Sequence, residues 1–76
     1  MADGRRYTIL LIPEPEAGGY SVQVPALPSC FTQGETYQEA LENAREAIQC
    51  HTEGLRLDGE PVPTEDVAPE LAAVEV

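Results

Sequence analysis

"LPSCFTQGETYQEALENAREAI" (residues 27–48) decides the fold, because it runs from a proline-and-cysteine turn through one short extended piece into a regular helix with almost no spacer. The helix is announced at Thr36. Its hydroxyl is placed to accept from the exposed amides of the first turn, and Glu39 is placed to reach back to the amide of Thr36, so the two residues read as a capping box. Downstream, Tyr37, Ala40, Leu41, Ala44, Ala47, Ile48 and His51 recur at three- and four-residue intervals as one stripe, with Gln38, Glu42, Asn43, Glu46 and Gln49 outside it. The alanines in that stripe let the helix lie close to a sheet. Gly54 predicts its end near Glu53.

Toward the N-terminus, "YTILLI" (residues 7–12) has the β-branched and aromatic content of a strand, and both of its alternating sets are mostly apolar. That pattern predicts an inner strand covered on both faces, ended by Pro13. "PEPEAGG" (residues 13–19) follows as a hairpin loop, with Gly18 and Gly19 supplying positive φ angles. Residues 20–24 alternate cleanly, placing Tyr20, Val22 and Val24 on one face and Ser21 and Gln23 on the other. "PALP" takes the chain out of the sheet, since prolines remove ladder donors, and "CFTQG" (residues 30–34) forms a short third strand antiparallel to the second.

Beyond the helix, "LRLDG" reads as a brief extended piece and "EPVPTEDVAPE" as a proline-rich, acidic surface excursion. "LAAVEV" (residues 71–76) alternates Leu71, Ala73 and Glu75 against Ala72, Val74 and Val76, and is expected to be a closing strand, with a frayed end as the competing reading. The fold class is therefore α+β: a small, mainly antiparallel sheet in the order strand-strand-strand-helix-strand, with one helix packed on one face. The other face needs a cover, because an apolar sheet of this size does not leave both faces wet. Leu10, Ile12 and Phe31 are the candidates for an oligomer or partner interface.

Seventy-six residues make one domain (residues 1–76) of modest stability, which oligomerisation or a partner would reinforce. Fourteen acidic residues stand against four arginines and no lysine, for a formal charge of −10, and the segment after Gly59 carries only negative charge. Such a field repels phosphate backbones and attracts basic proteins, so direct nucleic-acid binding is not expected. Cys30 and Cys50 are too few for a disulfide framework and belong to no zinc pattern; they read as partly buried thiols in a reducing cytoplasm. The apolar run at residues 7–12 is far too short to cross a bilayer and no cleavage signature follows it, so a cytoplasmic location is expected.

Catalytic chemistry finds little support. His51, the only histidine, lies on the helix stripe and reads as a partly buried, hydrogen-bonded side chain, while Cys50 beside it points about 100° away. Asp3, Glu14, Glu16, Asp58, Glu60, Glu65 and Asp66 fall in loops or ends, whereas a nuclease-type metal site needs carboxylates fixed on strands, and residues 7–12 and 20–24 carry none. No phosphate-binding loop is present. No enzyme activity, cofactor or metal is expected.

Taken together, "GYSVQVPALP", Cys30, Gly34 with Thr36, and "EALENAREAI" at this spacing resemble the core of the HicB-type antitoxins, the HicB-like or UPF0150 group, over residues 7–48, and "LAAVEV" is similar to their closing strand. Ser29 departs from the glycine common before the cysteine in that family. Many members carry a C-terminal DNA-binding segment; nothing after Val76 supplies one, so operator binding is not expected of residues 1–76. The resemblance implies a fold like a pared-down ribonuclease H domain without its catalytic acids. It also implies a role as neutralising partner of a small basic HicA-type toxin that cleaves messenger RNA, by covering the toxin's RNA-binding and catalytic surface. Glu39, Glu42 and Glu46 on the helix, or Glu14 and Glu16 in the hairpin, are then the candidate toxin contacts, with solubility as the competing role for the same carboxylates. A homodimer or homotetramer is expected. An orphan oligomer of the same fold, regulatory or scaffolding, is the alternative, with a degenerate metal-dependent nuclease behind it.

Overall fold

The computed structural model describes residues 5–76, so Asp3 lies outside the described residues. Four elements follow in order: β1 (Leu10–Pro13), β2 (Tyr20–Gln23), β3 (Phe31–Gly34) and α1 (Tyr37–Leu57). The strands form one antiparallel sheet ordered β1-β2-β3. β2 is central, and β1, expected inside, is an edge. The apolarity of both its faces has two separate causes: Ile9 and Leu11 pack toward the helix, whereas Leu10 and Ile12 belong to the opposite face, where Ile12 is 40% exposed. The strand is also shorter than residues 7–12, because the Thr8 amide donates to the Glu65 carboxylate rather than to a neighbouring strand.

Register assigns every side chain to a face. Leu11, Val22 and Thr32 form one cross-strand row, and Pro13, Tyr20 and Gly34 another; both rows lie under α1. On the other face, the rows are Leu10, Gln23 and Phe31, then Ile12, Ser21 and Gln33. The β1–β2 loop closes through Glu14 N–H to the Gly19 carbonyl at 2.9 Å, with Gly18 and Gly19 at φ 81° and 80°. These are angles that a Cβ disfavours.

The connection from β2 to β3 is more than an exit from the sheet. Two successive turns, Leu27 N–H to Val24 O and Cys30 N–H to Leu27 O, fold it so that Val24, Leu27 and Cys30 are buried beneath Ala47 and Ile48. The second half of the core sits over the sheet, where Val22, Ala40 and Ala44 are almost wholly buried. Helix α1 packs chiefly across β3. Gly34 permits this approach, since a Cβ there would lie 2.5 Å from the Ala40 amide nitrogen and 2.6 Å from its Cα.

Thr36 caps α1 by accepting from the Glu39 amide at 3.0 Å, while the Glu39 carboxylate takes the amide of Glu35 at 2.5 Å, one residue earlier than a capping box places it. Of the apolar stripe, Ala40 and Ala44 are buried and Leu41, Ala47, Ile48 and His51 half-buried, but Tyr37 is 55% exposed and meets Tyr20 edge-on, ring centroids 6.0 Å apart. The helix runs past Gly54 to Leu57. Asp58 is its C-cap, Gly59 has φ 73°, and Gly59 and Glu60 donate to the carbonyls of Arg56 and Leu55 in a Schellman arrangement. The extra turn buries part of Leu55 and supplies the hydrogen bonds that offset a glycine inside the helix, so the "LRL" of the expected extended piece is helical.

Residues 60–76 contain no helix or strand, which corrects the expected closing strand at residues 71–76. Leu71, Val74 and Val76 are 85%, 87% and 125% exposed. This segment is held near its start, where the Tyr7 hydroxyl donates to the Pro63 carbonyl at 2.6 Å and Thr8 donates from amide and hydroxyl to the Glu65 carboxylate, each at 2.7 Å. That carboxylate takes the edge amide with which a fourth strand would begin, and Pro61, Pro63 and Pro69 lack donors to continue one.

Candidate functional site

Two surfaces carry the residues that the sequence singles out. The first is the uncovered face of the sheet. Strand alternation turns Leu10, Ile12 and Phe31 to this side, and hydrogen-bonded register sets Leu10 and Phe31 in one row across Gln23. Phe31 is 71% exposed, the largest apolar contribution to the face, while Leu10 is half-buried. Ser21 and Gln23 on central β2 and Gln33 on edge strand β3 complete the face, so polar groups run along its middle and reach the β3 edge beside Phe31. Such a strip suits a second protein surface better than a small ligand.

The second surface is acidic. Glu39, Glu42 and Glu46 are spaced by three and four residues, which lines them up on one exposed flank of α1. They are not equivalent. Glu39 is engaged with the Glu35 amide at the helix start, where the positive end of the helix dipole also favours it; Glu42 and Glu46 serve no cap. Asn43, expected to point away from the sheet, is half-buried and donates from Nδ2 to the Gln33 carbonyl at 2.7 Å, tying this flank to β3. Glu14 and Glu16 are exposed in the β1–β2 loop, at the end of the strands rather than on the helix, so the two acidic sets are separate features.

The remaining chemical groups are structural in their surroundings. Cys30 is buried and burial, with a smaller contribution from the Cys50 thiol, pushes its pKa above the usual thiol value; Cys50 is exposed rather than partly buried. His51 is half-buried on α1. Among the described residues, no group of three or more His, Cys, Asp or Glu could hold a metal ion, and no helix is long and apolar enough to cross a membrane.

Sequence reasoning missed two polar anchors. Thr52 is buried and donates back to the Ile48 carbonyl at 2.9 Å, so its place in the stripe was available from the spacing of four after Ile48. Glu65 is half-buried at the N-terminal segment, and both hydrogen bonds from Thr8 hold its carboxylate below the ordinary value. No local signal joins residues this far apart in sequence.

The sequence model for HicB-like antitoxins of bacterial toxin-antitoxin systems matches residues 7–75. The chain is 48% identical to a UPF0150 protein of Thermoplasma acidophilum over 61 residues, covering 80% of this chain and 87% of that protein. It is 44% identical to a UPF0150 protein of Synechocystis over 61 residues, 80% of this chain and 76% of the relative. Antitoxin HicB of Escherichia coli is 41% identical over 58 residues, 76% of this chain but only 41% of that antitoxin, so the chain spans about two-fifths of its length. With a match across most of its residues and relatives of this identity, the chain belongs to the HicB-like antitoxin family of bacterial toxin-antitoxin systems.

Proposed function

We propose that the chain neutralises a small basic HicA-type ribonuclease toxin by covering its RNA-binding and catalytic surface. The observation that carries this reading is the exposed acidic flank of α1, with Glu42 and Glu46 free of any capping duty, on a chain of formal charge −10. A cationic surface built for RNA is attracted to that flank over several angstroms of water, and a protein seated there keeps RNA away. Glu14 and Glu16 form a second acidic contact at the hairpin. This reading gives the chain a binding role and assigns it no catalytic one.

Residues 1–76 form the toxin-binding unit in this reading, located in the cytoplasm, with no operator binding assigned to them. Leu10, Ile12 and Phe31 pair copies of the chain across the uncovered sheet face into a homodimer or homotetramer. The ribonuclease H-like layout is part of the same family-level reading. That exposed apolar face also favours a second reading, an orphan oligomer that regulates or scaffolds without a toxin.

Capture of native-lysate proteins on the tagged chain at about 50 mM and about 500 mM salt separates the two readings. Retention at low salt of a small basic protein whose RNA cleavage stops on mixing supports neutralisation, and Glu42→Lys with Glu46→Lys then weakens both retention and inhibition. Self-association alone, with no such protein retained, sinks the toxin reading.

A further inference from the structure

Cys30 and Cys50 are separated by most of α1 in sequence, yet the packing of the helix brings them to one flank. Helix α1 runs back along β3, and its contacts step toward Cys30 turn by turn. Ala40 lies against Gly34, where a Cβ would come within 2.5 Å of the Ala40 amide nitrogen. Asn43 reaches the Gln33 carbonyl at 2.7 Å. Ala47 packs on the buried cluster of Val24, Leu27 and Cys30. Asn43, Ala47 and Cys50 are spaced by four and three residues, so Cys50 is the next side chain on that flank, one turn beyond Ala47. A helical side chain leans back over the turn N-terminal to its own Cα, which carries the Cys50 thiol toward Ala47 and Cys30.

Electrostatics agrees with this placement. After burial, the charge of Cys50 is the second cause that raises the Cys30 pKa, so the two sulfurs lie within each other's field. Both thiols are free, and they differ in access: Cys30 is 4% exposed, whereas Cys50 stands exposed on the helix surface. The fold thus holds one reachable thiol and one shielded thiol, on α1 and on the turn before β3.

We propose that Cys30 and Cys50 close a reversible disulfide when the chain meets an oxidising small-molecule disulfide, stapling the β2–β3 turn to α1. Access fixes the order of the steps. The Cys50 thiolate attacks one sulfur of the small disulfide, forming a mixed disulfide and releasing one thiol. Cys30 then gives up its proton to water, and its sulfur attacks that of Cys50, breaking the mixed disulfide and releasing the second thiol. Two protein thiols are oxidised, and one small disulfide is reduced to two thiols. A bond within the chain is favoured over a Cys50–Cys50 link between copies, because Cys30 is held at high local concentration while copies of formal charge −10 repel one another. In a reducing compartment the pair stays open, so the staple marks exposure to oxidant. Its position gives it a consequence. Cys30 immediately precedes Phe31, the exposed aromatic residue of the uncovered sheet face, so the bond fixes the entry to that face. The inference does not rest on the toxin reading.

Incubation of the folded, full-length chain with oxidised glutathione, followed by intact mass measurement and mapping of linked peptides, tests the staple. The expected product is a monomer lighter by two hydrogen atoms, with the Cys30 peptide joined to the Cys50 peptide and the link reversed by dithiothreitol. A stable glutathione adduct on Cys50, or a Cys50–Cys50 dimer as the main product, overturns the proposal. Cys30→Ala, small and apolar enough for the buried site, should halt the reaction at the Cys50 adduct; no adduct on that variant overturns the order of attack. The stapled chain should also melt several degrees above the reduced chain, since the closed loop constrains the unfolded state. A lower midpoint would mean that the bond forms only by dislodging α1, which overturns the fit.

Discussion

Substituting Gly34 by alanine tests how the helix is seated. The added Cβ would lie 2.5 Å, 2.6 Å and 2.9 Å from the Ala40 nitrogen, the Ala40 Cα and the Glu39 carbonyl carbon, all backbone atoms. No rotamer can yield. Relief requires the first turn of α1 and the end of β3 to separate by roughly 1 Å, the shortfall against an ordinary 3.4 Å contact. That movement lifts Ala40, 0% exposed, from Val22, also 0% exposed, so the steric cost is joined by lost packing at the centre of the core. Overpacking costs about 1–3 kcal/mol, and a contact made only of backbone belongs at the upper end, about 3 kcal/mol. The whole domain has only about 4–11 kcal/mol of stability by its size. A fall in Tm of about 12–24 °C follows.

The assay is thermal unfolding followed by far-ultraviolet circular dichroism, with parent and variant at matched protein concentration so that self-association does not enter the difference. Gly54→Ala is the internal comparison. Gly54 lies within α1 with nothing within 4 Å of its virtual Cβ, so alanine there should stabilise by about 0.8–1 kcal/mol through helix propensity alone. Opposite signs at two glycines of one chain are the signature of a close approach. A Gly34→Ala protein melting within about 2 °C of the parent would refute the tight seating of α1 on β3.

Thr36→Ala should cost about 1 kcal/mol in urea unfolding, because the Glu39 amide loses its acceptor at 3.0 Å. Glu65 is held below its ordinary pKa of 4.5 chiefly by the Thr8 hydroxyl and then by the Thr8 amide. Its stabilisation is therefore present above pH 4.5 and lost as pH falls through the lower folded value, so Glu65→Gln should flatten the acid limb of the unfolding midpoint between about pH 6 and pH 3. An unchanged acid limb would remove Glu65 as its source. Alkylation followed by mass spectrometry should add one label to the native chain, at exposed Cys50, and a second, at buried Cys30, only on unfolding.

Local chemistry was legible in the sequence wherever the deciding interactions are local. Thr36 at the helix start, the alternation of residues 20–24, and Gly18 with Gly19 in the hairpin each involve groups a few residues apart, and each stands as its pattern reads. The misreadings lie where distant groups compete. Gly54 carries a stop signal by type, yet the stronger stop at Gly59 wins because its positive φ completes paired bonds to Arg56 and Leu55. "YTILLI" reads as a doubly covered strand because composition cannot distinguish an apolar face under a helix from one left open. The closing strand at residues 71–76 had the right alternation, but pairing depends on a partner edge whose first donor is taken by Glu65, and nothing in the local pattern reveals that. Of the candidate surfaces, the sequence supplied the residues and the register supplied their grouping: Leu10 and Phe31, far apart in the chain, share one cross-strand row.

The arrangement of charge follows from the same economy of structure. The fully buried apolar core amounts to Val22, Val24, Leu27, Cys30, Ala40 and Ala44, among which the largest side chains are one leucine and two valines. Among the described residues, so small a core leaves the sheet's second face without cover, and apolar surface of that kind is stabilised by burial against another protein. Carboxylates elsewhere keep such a surface from unselective association, since copies of charge −10 repel one another unless a contact brings opposite charges together. In the proposed reading the acidic flank of α1 is such a contact for a basic protein. If copies pair across the sheet face as proposed, selectivity between a second copy and a toxin depends on position more than on affinity: self-recognition would use Leu10, Ile12 and Phe31 on the face away from α1, and the carboxylates of Glu42 and Glu46 would stay outward.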